Sequence, residues 1–123
     1  MNIVLWVAQW MCALAFIMAG AVKVVRSKAG LEPVMGWVHD VPQYQIRLLG
    51  ACELAGALGC VLPGLFHVGQ FLTPAAAAGG AAVMVGAGVV HLRRHEEREL
   101  VMPVILGLLF CLILVGRVLY PLS

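Results

Sequence analysis

A glutamate inside an apolar run is the residue of this chain most able to carry chemistry. Glu53 lies in the stretch GACELAGALG, and a carboxylate in hydrocarbon costs roughly 3 kcal/mol unless it is neutralised or paired. Two interpretations stay open from the residues alone. Glu53 either joins its helix to neighbouring helices through an ion pair, or it exchanges protons or binds a ligand at the floor of a cavity.

Basic groups that could meet Glu53 come from several stretches of the chain. Lys23 ends the first apolar run and His91 ends the third, so both can reach the depth of Glu53. Arg47 precedes Glu53 by six residues, which is about 9 Å along a helix and about 120° away from the face of the glutamate. His91 and His95 have the i, i+4 spacing of one helical face, but two histidines alone do not favour a metal or haem site.

The elements that must position these groups are membrane-spanning helices. The chain of 123 residues is 63% hydrophobic and only 11% charged, whereas soluble domains carry about 25% charged residues. A membrane-crossing helix needs about 20 apolar residues, and it satisfies its backbone hydrogen bonds internally. We therefore predict an all-α membrane protein, with a single domain over residues 1–123 and four transmembrane helices in a compact bundle. The predicted helices cover about residues 2–25, 46–62, 70–92 and 100–119.

The segment between the first two predicted helices carries its own apolar pattern. Leu31, Val34, Met35 and Val38 recur at the spacing of one helical face. We predict a short amphipathic helix at the membrane interface over about residues 31–41, lying in the headgroup region or folded back onto the bundle. A plain connector without regular structure is the alternative.

Small residues recur every four positions in the second and third predicted helices. The rows are Ala51, Ala55 and Gly59, and then Ala78, Ala82 and Gly86. Such rows allow the backbones of membrane helices to approach closely. We therefore expect these two helices to form the tight centre of the bundle.

Basic residues are distributed unevenly about the four predicted helices. Seven of the eight lie in or next to the first and third connections, and the exception is Arg117. Cytoplasmic segments of membrane proteins are enriched in lysine and arginine, so we predict that both connections are cytoplasmic, that both termini are outside, and that the membrane is a bacterial inner membrane. The net charge of +2, without a basic patch interleaved with aromatic residues, gives no indication of nucleic-acid binding.

Four strings along the chain together resemble a known family. They are AGAVKV, RLLGACELAGALGCVLPGL, LTPAAAAGGAAVMVGAGVVHLRR and a final Gly-Arg. From about Phe16 to Arg117 the chain closely resembles the DoxX-like family of small four-helix integral membrane proteins. The most specific part is the pattern Arg-x-x-Gly-x-x-Glu-x-x-Gly with a following Leu-Pro, and His91 and Arg117 match as well. The resemblance therefore implies the same fold and adds Arg117 to the candidate functional residues.

The family takes its name from a membrane subunit linked to thiosulfate:quinone oxidoreduction. This resemblance leads us to expect a redox-associated protein that binds a quinone or similar apolar molecule in an intramembrane pocket, as a subunit of a quinone-linked oxidoreductase. Glu53 and His91 would then be catalytic and exchange protons, while Lys23, Arg47 and Arg117 would bind the substrate or cofactor. The expected partners are the lipid bilayer, further copies of the chain, or a redox subunit.

Two other functions remain in view. One is an assembly subunit that has no chemistry of its own and uses its small-residue faces and amphipathic segment for docking. The other is a small proton-coupled transporter, which the position of the acidic residue disfavours. In the small multidrug exporters that residue lies in the first helix, whereas here the first helix offers only Lys23.

Overall fold

The long apolar runs form helices that can span a membrane. A computed structural model of the protein describes residues 2–121. Within that range four helices are long and apolar enough to cross a bilayer, which confirms the predicted all-α membrane fold. They are α1 (Asn2–Val25), α3 (Gln43–Phe66), α4 (Leu72–Arg93) and α5 (Val101–Leu119), and the single turn α2 (Lys28–Leu31) follows α1. Short 3₁₀ turns cover Gly36–Asp40 and Glu97–Leu100. The first residue and the last two residues of the predicted domain lie outside the described range.

The four long helices pack as a ring in which each helix runs antiparallel to its neighbours. The order around the ring is α1, α3, α4, α5, and α5 closes on α1. In the centre the rings of Phe16 and Phe110 lie 4.8 Å apart between centroids, and Gly80 leaves room for the Phe110 ring. We name the end formed by residues 26–42 and 94–100 the basic end. The opposite end, with the connection 67–71, is the terminal end.

The closest approach between backbones joins α1 to α3. A Cβ added to Gly20 would lie 2.6 Å from the carbonyl oxygen of Gly50, and one added to Gly50 would lie 2.7 Å from that of Gly20. These two glycines therefore allow the two backbones to touch. The expectation that the second and third membrane helices form the tight centre is wrong, because Ala78, Ala82 and Gly86 are exposed and α4 is the least buried of the four helices.

Helix α3 is longer than predicted at both ends and contains Pro63. Proline has no N–H group to donate to the carbonyl of the residue four positions earlier, which here is Gly59. The hydroxyl of Thr73 donates to this carbonyl instead, at 3.0 Å. A side chain of α4 thus satisfies the backbone group that Pro63 leaves unpaired, as an apolar surrounding requires.

The predicted amphipathic helix over residues 31–41 is not confirmed. The segment consists of the end of α2 and a 3₁₀ turn, separated by residues 32–35. Leu31 and Val38 are buried beside Ile46, whereas Val34, which the helical pattern places on the same face, is 72% exposed. The segment folds back onto the bundle, but two short turns and not one helix bury its apolar residues.

Candidate functional site

Lys23 and Glu53 form a buried ion pair between α1 and α3. Lys23 Nζ donates to Glu53 Oε1 at 2.6 Å, and the glutamate is 2% exposed. The Gly20–Gly50 contact brings the two helices together one turn away. Helical side chains lean toward the N-terminus of their helix, so the lysine stem leans from the basic end into the bundle and toward the carboxylate.

A cluster of polar residues lies at the basic end. His91 Nδ1 lies 3.1 Å from Glu96 Oε1, and Arg94 Nε donates to the same oxygen at 3.2 Å. Arg94 Nη1 also donates to Asp40 Oδ2 at 3.2 Å, so the guanidinium ties the 3₁₀ turn 36–40 to the end of α4. Gly36 permits this arrangement, because a Cβ there would lie 2.8 Å from Arg94 Nη2. We call Asp40, His91, Arg94 and Glu96 the polar cap.

A cavity of about 640 Å³ lies between the Lys23–Glu53 pair and the polar cap. This volume falls within the range of pockets that hold small molecules, about 300–1,000 Å³. All four long helices contribute to its walls, and Met35 and Trp37 line it from the segment between α1 and α3. Its polar lining residues are Lys23, Glu53, His91, Glu96 and Glu99. The remaining walls are apolar, so the cavity suits a largely apolar molecule with a polar end.

Three of the five predicted functional residues meet at this cavity. Lys23, Glu53 and His91 all line it, but His91 pairs with Glu96 and not with Glu53. Arg47 is exposed on α3 and lies outside the cavity lining. His95 lies beyond the end of α4 with a backbone φ of 58°, so the predicted helical face shared with His91 is not formed.

Arg117 lies at the terminal end, where it joins a separate buried network. Its Nε donates to Gln9 Oε1 at 2.6 Å and its Nη1 donates to Asn2 Oδ1 at 2.8 Å. Gln9 in turn donates from Nε2 to the backbone carbonyl of Cys60. Arg117 is 3% exposed, and its Nη2 has no hydrogen-bond acceptor within the described residues. The network connects α5, α1 and α3 without a carboxylate side chain.

The sequence pattern does not single out the groups that hold these candidate side chains in place. Glu96 lies in the charged stretch RRHEERE, which is typical of a solvated connection, and nothing in that pattern distinguishes the glutamate that pairs with His91. Gln9 is a lone amide in the first apolar run. Its burial could have been suspected, because a polar side chain in hydrocarbon needs a hydrogen-bonding partner.

Comparison with protein families matches residues 7–113 to the DoxX-like family. Comparisons with curated proteins and with solved structures gave no match. The matched range begins before Phe16, includes Lys23, Glu53 and His91, and ends before Arg117. Because the match spans most of the chain and four apolar helices form one bundle, this chain belongs to the DoxX-like family of membrane proteins.

Proposed function

We propose that the cavity binds a quinone or a similar amphiphile with a small polar head. The observation that carries the proposal is the lining of the cavity, in which apolar walls surround a buried ion pair and a histidine. Ligand pockets are commonly apolar with a few convergent polar groups. The proposed polar contacts are Lys23, Glu53 and His91. The binding roles predicted for Arg47 and Arg117 stay predictions, and neither residue lines this cavity.

The hydrogen-bonding capacity of the cavity suits a quinone head, which is a flat apolar ring with two carbonyl acceptors. A lysine ammonium has three N–H donors, and Lys23 uses one of them on Glu53. Nδ1 is the ring nitrogen of His91 that faces Glu96, so the second ring nitrogen is the one proposed to meet the ligand. Lys23 therefore offers donors to a quinone carbonyl. The second ring nitrogen of His91 donates when the imidazole is protonated and accepts from a hydroxyl of the reduced head when it is neutral, while Met35 and Trp37 offer apolar contact to the ring.

The proposed chemical role of Glu53 and His91 is to move protons to and from the bound head. A carboxylate and an imidazole are the side chains most often used for this purpose. Glu96 holds His91 in one orientation, so its second ring nitrogen can accept a proton or donate one. In this proposal the chain belongs to a redox-associated membrane complex. The chain holds the quinone, and an oxidoreductase subunit exchanges electrons with it.

Binding of a short-tailed ubiquinone to the purified protein tests this proposal. We expect His91→Leu to weaken binding about tenfold, because one hydrogen bond worth about 1.4 kcal/mol is lost. Glu53→Gln keeps a polar group beside Lys23, so we expect it to change mainly the pH dependence of binding. Gln45→Leu, at an exposed position on α3 outside the cavity lining, is the control and should bind like the natural protein. Equal affinities and equal pH profiles for all four proteins would contradict the proposed site.

We also propose that the basic end faces the cytoplasm of a bacterial inner membrane. Seven of the eight lysine and arginine residues lie at or near this end, and such asymmetry sets the orientation of membrane proteins. Alkaline phosphatase fused behind residue 121 should therefore be active, because the enzyme folds only outside the cytoplasm. The same reporter inserted after residue 95 should be inactive, and the reverse pattern would refute this orientation.

A further inference from the structure

Residues of the segment between α1 and α3 cover the cavity on the side of the basic end. Val34, Met35, Gly36 and Trp37 line the cavity from the segment that folds over it. Arg94 fastens this cover, since its guanidinium reaches both Asp40 in the 3₁₀ turn and Glu96 beyond α4. A ligand arriving from water at this end would have to displace the segment and break these ion pairs.

Close contacts hold neighbouring helices together at several points of the ring. Gly20 and Gly50 bring α1 and α3 together. Phe110 packs over Gly80 between α4 and α5 and against Phe16 of α1. Between α3 and α4, close contacts occur toward the terminal end, where a Cβ on Gly59 would lie 2.8 Å from Ala76 and where Thr73 donates to the carbonyl of Gly59.

Toward the basic end the cavity reaches the space between α3 and α4. Leu49 of α3 and Gly86 and Val90 of α4 line it. Gly86 and Val90 are also exposed, Val90 by 39%. A Cβ added to Gly86 meets no atom within 4 Å. The wall at Gly86 is therefore thin, and the space beside the glycine is open.

The depth of this opening places it against lipid. Gly86 precedes the end of α4 at Arg93 by seven residues, which is about 10 Å along the helix. The apolar core of a bilayer is about 30 Å thick, so an opening at this depth faces acyl chains and not water. A molecule that passes through it is one that dissolves in the bilayer.

We infer that the ligand is a tailed amphiphile that enters the cavity sideways from the bilayer, between α3 and α4 at Gly86. Its polar head lies at Lys23, Glu53 and His91, and its apolar tail leads out past Gly86 into the lipid. This inference rests on the proposed function, because it specifies the class of molecule that the cavity holds and the route by which it arrives.

Substitution of Gly86 tests the inference, and Gly79 supplies a matched control. Gly79 lies two helical turns away on the same exposed face of α4, an added Cβ there also meets no atom within 4 Å, and it does not line the cavity. The test compares Gly86→Trp, Gly86→Leu and Gly79→Trp in liposomes. The two probes are a long-tailed ubiquinone and the tailless quinone head. Size-exclusion profiles confirm that each variant is folded before binding is measured.

We expect Gly86→Trp to weaken binding of the long-tailed quinone at least tenfold, with a smaller loss for Gly86→Leu. Binding of the tailless head should be unchanged in both, and Gly79→Trp should bind both probes like the natural protein. Lateral access is overturned if Gly86→Trp binds the long-tailed quinone normally, or if it loses both probes equally. If the natural protein binds neither probe, the proposed function itself fails, which is a distinct outcome.

Discussion

Replacing Lys23 with methionine should lower the free energy of unfolding by about 3 kcal/mol, because it leaves the carboxylate of Glu53 buried without its cation. The glutamate is only 2% exposed and its salt bridge to Lys23 is 2.6 Å long, so loss of the ammonium removes the main partner of the carboxylate. Reversible unfolding in mixed micelles measures the effect. Arg47→Met, an exposed control on α3, should change the free energy of unfolding by less than about 0.5 kcal/mol.

The double variant Lys23→Met, Glu53→Leu should recover most of that loss. Much of the attraction within a buried ion pair is offset by the cost of removing both ions from water, so apolar residues of similar size can replace the pair at little cost. The single variant Glu53→Leu completes the comparison. If the losses of stability in Lys23→Met and Glu53→Leu simply add in the double variant, the pair does not act as a unit and this account of it is wrong.

The same double variant separates the two interpretations of Glu53. A protein that is stable without the ion pair and still binds quinone normally would show that the pair only joins α1 to α3. We expect the stable double variant to bind quinone weakly, because both the lysine donors and the carboxylate are gone from the cavity wall.

Gln9→Leu is the second substitution for which we expect a large effect. The amide of Gln9 is fully buried and accepts a hydrogen bond from the Arg117 guanidinium at 2.6 Å. Hydrogen bonds to charged groups contribute about 1.5–3 kcal/mol each. Among the residues described, one nitrogen of Arg117 already has no acceptor, so we expect Gln9→Leu to lower the free energy of unfolding by about 2–3 kcal/mol.

Removing the guanidinium as well should reverse part of this loss. In the variant Gln9→Leu, Arg117→Met no buried charge remains in this network, so it should be more stable than Gln9→Leu alone. Gln45→Leu makes the same replacement at an exposed position on α3 and should have little effect. The account of the network fails if Gln9→Leu and Gln45→Leu unfold alike, or if the added Arg117→Met lowers stability further.

The depth of the site could be predicted from sequence, since it depends only on where residues fall along membrane-spanning helices. Lys23, Glu53 and His91 occupy comparable depths once the four helices are assigned, and the cavity brings them together. The hydrogen-bonding partner of His91 could not be predicted. It depends on how the chain turns after α4 and so brings Glu96 back to His91.

Helix pairing was harder to predict because small residues occur on several helices. A row of glycine and alanine shows that a helix can be approached closely, but not which neighbour approaches it. The closest contact forms at Gly20 and Gly50, whereas the row Ala78, Ala82 and Gly86 is exposed. The predicted helix over residues 31–41 is not confirmed for a similar reason, since two turns can bury Leu31 and Val38 as well as one helix can.

Tryptophan quenching tests most directly whether the cavity holds the ligand, because Trp37 lines it and quinones quench indole fluorescence. Two single-tryptophan proteins are compared, one keeping Trp37 and the other keeping Trp10, which is 43% exposed on α1. The remaining tryptophans are replaced by phenylalanine. We predict saturable quenching of Trp37 by a short-tailed ubiquinone and only weak, linear quenching of Trp10. Equal quenching of both would show that the quinone dissolves in the surrounding detergent or lipid without occupying the cavity, and would contradict the central claim.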